Sequence, residues 1–145
     1  MEISRIVRVL LTLIMVVTFI IITVAAYQQT QTVASMTTLS DSTSSIVTAL
    51  ASQDLAWSDE TKTLHPYVLE ASKLENLRFS RLLGGDNLVF QATIIYNPGN
   101  KIENIGPYGP DLPEDKMTSS LSVPVSLRKN NSTLPAKLKV VSWYG

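Results

Sequence analysis

No glycine and no proline occurs in the first 65 residues of this 145-residue chain, and that turn-free stretch opens with an apolar run of lipid length. From Val9 to Ala26 only Thr12, Thr18 and Thr23 interrupt the apolar side chains. In a helix, a threonine hydroxyl can bond back to the carbonyl of the preceding turn. With Ile6 and Val7 before it and Tyr27 after it, the run reaches about 20 residues, enough to cross roughly 30 Å of hydrocarbon. Val9, Leu10, Leu11, Leu13, Ile14, Val16, Val17, Phe19, Ile20, Ile21 and Ile22 are its bulky members, and Tyr27 sits where an interfacial aromatic belongs. A buried core helix is the wrong scale, because an all-round apolar helix needs a large protein or a bilayer around it.

Arg5 and Arg8 flank the run on its N-terminal side, and the next basic residue is Lys62. That asymmetry predicts a cytoplasmic N-terminus and an extracytoplasmic remainder at a cell membrane. A cleaved signal peptide is the rival reading, with Val24-Ala25-Ala26 as small residues near a cleavage point. The run is longer than a usual signal core, and no turn-former separates it from Ala26, so a retained anchor is the expectation.

Past the anchor the charges nearly balance, with ten Lys and Arg against eleven Asp and Glu from Gln28 onward. No basic field is present to hold nucleic acid by counterion release. Cysteine is absent, so disulfide and thiolate chemistry are excluded. No phosphate loop, nucleophile elbow or His/Cys ligand set occurs, and Asp111, Glu114 and Asp115 lack the spacing of a calcium loop. The expectation is a non-enzymatic chain without cofactor or metal.

Gln28 to Trp57 is rich in Ser and Thr, which are mediocre helix formers. Yet Val33, Met36, Leu39, Ile46 and Leu50 recur at about 3.5-residue spacing, with Thr43 in the vacant slot, as a stripe suited to a partner helix. A largely continuous helix ending around Gln53 to Trp57 is predicted; a break near Asp41, with Ser44 or Ser45 capping a second helix, is the alternative. His65-Pro66 marks a boundary, and the lone His65 reads as a loop residue. The expected organisation is a transmembrane helix over 1–27, a polar helical stalk over 28–57, a linker over 58–66 and a β-domain over 67–145.

In that last part the period becomes two. Leu77 and Phe79 alternate with polar neighbours, then Gly84-Gly85-Asp86-Asn87 makes a turn. Leu88, Phe90, Ala92, Ile94 and Tyr96 form one face of a strand, and Asn97-Pro98-Gly99-Asn100 turns it, with Gly99 able to take positive φ. A weak strand is expected at Lys101 to Ile105, and Gly106 to Pro113 reads as a rigid surface loop. Leu121, Val123, Val125 and Leu127 form a third face, where Pro124 must lie at an edge or point its nitrogen outward. Leu134, Ala136, Leu138 and Val140 form a fourth. The alternation predicts antiparallel strands with one wet face, so the fold class is α+β: a long transmembrane helix with a polar continuation, then a small antiparallel, immunoglobulin-like β-sandwich. So few strands make a thin core, which should be completed by its own helix or by a neighbouring subunit. Asn130-Asn131-Ser132-Thr133 holds two overlapping glycosylation sequons, at Asn130 and Asn131.

The order of parts (apolar helix, polar continuation, small β-domain) resembles archaeal type IV pilin-like and archaellum-associated surface proteins. The stretch Leu88-Val89-Phe90-Gln91-Ala92-Thr93-Ile94-Ile95-Tyr96-Asn97-Pro98-Gly99-Asn100 is similar to the strand-plus-turn of secreted immunoglobulin-like adhesion modules. The chain departs from the pilin pattern in having no basic-Gly processing site before its apolar run and in carrying Glu2 rather than a fifth-position glutamate. The apolar run also lacks small residues for close helix packing. Two functions follow as expectations: a membrane-anchored subunit or adaptor of a surface assembly, and a filament-forming structural subunit. The expected partners are the lipid bilayer and other protein subunits, self included, in an oligomer or filament.

Overall fold

The computed structural model describes residues 2–83 and 85–145, so the Gly84 part of the expected turn lies outside the described residues. Helix α1 runs over Glu2–Ala49, about 70 Å at 1.5 Å per residue. Its Ser and Thr content ordinarily works against helix, because hydroxyls compete with the helical backbone bonds. Here the hydroxyls fold back onto their own helix. Thr12 donates to the Arg8 carbonyl, Thr18 to Ile14 and Thr23 to Phe19, each at 2.8 Å. Thr30, Thr32, Thr37, Thr43, Ser45, Thr48 and Ser52 repeat the bond to the carbonyl four residues back. The predicted continuous helix is observed, and the alternative break near Asp41 is absent. Instead the helix closes in a π-turn over Leu50–Asp54, where the Leu55 N–H donates to the Leu50 carbonyl at 2.8 Å. The wider turn carries Leu50, Ala51 and Leu55 together into the core. Trp57, which the stalk was expected to reach, lies instead in a strand.

The chain forms two compact units, divided between Thr37 and Thr38. The first consists of helix alone. The second takes the end of α1 and seven strands: β1 (Ala56–Ser58), β2 (Leu64–Glu70), β3 (Ser80–Leu83), β4 (Asp86–Tyr96), β5 (Glu103–Tyr108), β6 (Ser119–Lys129) and β7 (Ser132–Tyr144). A 3₁₀ turn at Ala71–Asn76 links β2 to β3. The strands form one sheet in the order β1-β2-β6-β7-β4-β3, with β5 also on β4. Because β7 occupies one edge of β4 from Leu88 to Tyr96, β3 and β5 share the other edge.

The expected α+β class holds, with two changes inside the β-part. Every pairing is antiparallel except β2–β6, which runs parallel from Val68↔Ser126 to Glu70↔Arg128. The layer that covers the sheet is α1 itself. Leu39, Ile46, Val47, Leu50 and Ala51 join Phe90, Ile94, Leu127, Leu138 and Val140 in a single core. Each fully buried Leu, Ile or Phe side chain contributes about 1.5–3 kcal/mol, which gives a thin sheet the apolar cover it lacks. Thus Leu39, Ile46 and Leu50 are not open to a partner helix; the domain's own sheet holds them. The helix is pinned by a buried polar pair as well: the Thr43 hydroxyl lies 2.5 Å from that of Ser142 in β7 and donates to the Leu39 carbonyl at 2.7 Å, which leaves Ser142 as the donor within the pair.

The alternating faces of the long strands come out as read, whereas Leu77 and Phe79 lie between the 3₁₀ turn and β3 and not in a strand. Leu88, Phe90, Ala92, Ile94 and Tyr96 are all buried, with Ala136, Leu138 and Val140 facing them across the β4–β7 ladder. β6 and β7 meet at Lys129↔Ser132 through a two-residue turn, so Lys129, Leu127 and Val125 exchange bonds with β7. That parity aims the Pro124 nitrogen at the β2 side, ahead of Ser126 where the pairing with β2 begins, so the ladder misses no donor there. The Asn97 turn is made differently from expectation: its side chain accepts the Gly99 N–H at 3.0 Å, and Gly99 keeps ordinary φ. Gly106 to Tyr108 is not loop but the bulged end of β5, with a cis Gly106–Pro107 bond. Gly106 sits at φ +99°, where an added Cβ would come 2.9 Å from the Tyr108 nitrogen.

Candidate functional site: the uncovered helix and the hairpin end

Every residue from Glu2 to Thr38 is exposed. Among the bulky apolar residues between Ile3 and Val24, exposure runs from 48% at Val17 to 77% at Ile3. The helix is long and apolar enough to cross a membrane, and none of its apolar window is buried in the protein. Thr12, Thr18 and Thr23 add no unmet donor to that surface, since each hydroxyl is spent on its own helix. At its far end the Gln31 side-chain amide donates to the Tyr27 hydroxyl at 2.8 Å, tying a headgroup-type residue to the predicted interfacial aromatic. Arg5 and Arg8 are exposed, with no ion pair among the described residues. Of the predicted stripe only Val33 and Met36 stay open, at 56% and 54% exposure.

A second feature lies at the β1, β2 and β6 end of the domain. Asp59 follows β1 and gathers the turn into β2: one carboxylate oxygen accepts from the Thr61 hydroxyl at 2.6 Å and from the Thr61 and Thr63 N–H groups at 3.0 Å. The other oxygen pairs with the His65 ring at 2.9 Å. These bonds, the Thr61 hydroxyl first and His65 next, hold the Asp59 carboxyl well below the usual carboxylate range. His65 is therefore a strand residue, stacked at 4.8 Å on Trp57, and the Arg128 guanidinium lies 4.5 Å over the same indole. Sequence reasoning missed this stack because its members come from three separated segments. Asn130 and Asn131 form the adjoining hairpin tip, with φ of 51° and 61°. Both are exposed and border an open polar cleft of about 400 Å³ shared with Trp57, Glu70 and Arg128.

Among the described residues no group of three or more His, Asp and Glu side chains is placed to hold a metal. Asp111, Glu114 and Asp115 are solvated. Comparison of the chain with protein-family models, curated proteins and solved structures finds no match in any of the three.

Proposed function

We propose that this chain is a non-catalytic, single-pass subunit of a larger cell-surface assembly, anchored by residues 6–27, with its β-domain outside the membrane making protein contacts. One observation carries the reading. The helix whose end forms the core of a folded domain is, from Glu2 to Thr38, exposed at every residue, its apolar run included. Each of those Leu, Ile, Val and Phe side chains stands to gain about 1.5–3 kcal/mol on full burial, so lipid or protein must cover them. The Arg5–Arg8 cluster supports a cytoplasmic N-terminus. A pilin-like filament subunit is the second reading. The self-bonded threonines favour it, because they let the helix exchange lipid for protein neighbours without stranding a hydroxyl.

The test combines carbonate extraction of membranes, protease treatment of intact cells and electron microscopy of surface preparations. An anchored subunit stays with the membrane, loses its β-domain to external protease and does not form the bulk of any fibre. Release of the intact chain by carbonate refutes the anchor. A fibre made mainly of this chain replaces the first reading with the second. Charged residues at Val33 and Met36, both outside the domain core, should abolish co-purification with partners, and unchanged co-purification removes them from the contact surface.

A further inference from the structure

The hairpin tip carries more than a turn requires. A two-residue turn with positive φ at both positions accounts for asparagine at 130 and 131, and glycine or aspartate would serve the same need. It makes no demand on the hydroxyls that follow. Those hydroxyls differ: Ser132 Oγ donates to the Lys129 carbonyl at 2.8 Å, whereas the exposed Thr133 hydroxyl bonds no other group among the described residues. In an Asn-x-Ser/Thr sequon the hydroxyl two residues on must be available to the asparagine amide during transfer. The Asn130 sequon depends on the engaged Ser132, and the Asn131 sequon on the free Thr133.

We propose that Asn131, in preference to Asn130, is an N-glycan acceptor whose first sugars lie at the mouth of the cleft bordered by Trp57, Glu70 and Arg128. This rests on the extracytoplasmic placement of the domain. In the transfer, Asn131 Nδ2 attacks the anomeric carbon of a sugar carried on a polyprenyl phosphate or pyrophosphate, under a membrane glycosyltransferase. The C1–N bond forms, the C1–O bond to the lipid carrier breaks, and the amide releases one proton while the phosphate leaves with the bonding pair. A polar cleft lined by the carboxylates of Asp59, Glu60 and Glu70, the Arg128 guanidinium and the Trp57 indole offers partners to sugar hydroxyls.

The full chain, isolated from its own membrane, is measured by intact mass and by fragmentation of the tryptic peptide 130–137, beside the variants Thr133→Ala and Ser132→Ala. Neither substitution alters an asparagine of the turn, and Ser132→Ala removes from the hairpin only the side-chain bond to the Lys129 carbonyl. The expected result is a glycan on Asn131 in the native chain, lost in Thr133→Ala and retained in Ser132→Ala. The reverse pattern overturns the proposal by moving the glycan to Asn130. A bare wild-type chain whose domain external protease still reaches overturns it while leaving the membrane orientation standing. A bare chain whose domain is protected in intact cells removes the orientation and the acceptor together.

Discussion

Among the described residues Thr43 and Ser142 form a buried hydroxyl pair between helix and sheet; because Thr43 has one proton and the Leu39 carbonyl can only accept it, Ser142 is left as the donor within the pair, which makes their removal unequal. Both residues have zero exposure. Ser142 donates to Thr43, and Thr43 donates onward to the Leu39 carbonyl, which remains within the helical ladder. Thr43→Val keeps the shape but strands the Ser142 hydroxyl, a penalty of about 1–3 kcal/mol. The added methyl returns roughly 0.8 kcal/mol of that. Ser142→Ala leaves Thr43 satisfied by Leu39 and should cost only about 0.5–1.5 kcal/mol. The double variant has no hydroxyl left to strand, so it should sit near Ser142→Ala, with a coupling equal in size to the net Thr43→Val loss, about 1 kcal/mol at mid-range. Denaturant unfolding of the full chain in detergent reads this through Trp143, which is 5% exposed and adjacent in sequence to Ser142. Additivity to within about 0.3 kcal/mol would refute the proton direction.

Ile46→Ala should cost about 2–5 kcal/mol, since Ile46 is 1% exposed in the core, whereas Met36→Ala, on open helix, should stay within about 0.5 kcal/mol; the same unfolding assay separates them. Asp59 titrates below its usual range when folded, so its stabilising contribution is complete above the unfolded carboxyl value of about 4 and is lost as pH falls through the folded value. Urea midpoints between about pH 6 and pH 3 should therefore fall less steeply with acid in Asp59→Asn than in the native chain. Gly106→Ala should lower the thermal midpoint well beyond the effect of Gly99→Ala, because Gly106 holds positive φ with a close backbone neighbour and Gly99 has open space.

The long strands were legible because each has one wet face, so Leu88 to Tyr96 and Leu134 to Val140 announce themselves by alternation. The self-bonded threonines were legible too, as local chemistry within one turn. β1 and β2 were hidden: Ala56–Ser58 is short, and β2 contains Pro66 and a Tyr67 at φ +63° where its register with β1 shifts. Its parallel partner lies more than fifty positions away, beyond the reach of any local pattern. Within the stripe, Leu39, Ile46 and Leu50 depart from expectation in an instructive way. Periodicity reports that a face is covered, and it carries no information about what covers it. At the hairpin the identity of Asn130-Asn131 was legible, and the inequality of Ser132 and Thr133 was not, because it depends on a hydrogen bond to Lys129.

Nine hydroxyls of α1, and Ser52 in the π-turn that closes it, bond to carbonyls of their own helix and so bring no unmet donor to their surroundings. A free hydroxyl moved from water to an apolar surrounding costs several kcal/mol when nothing replaces the lost bond. Here the replacement is already in place before any transfer begins. Across the apolar run the helix can therefore meet water, hydrocarbon or other helices with the same internal bonds at Thr12, Thr18 and Thr23, and the partitioning of that run is governed by its side-chain apolarity.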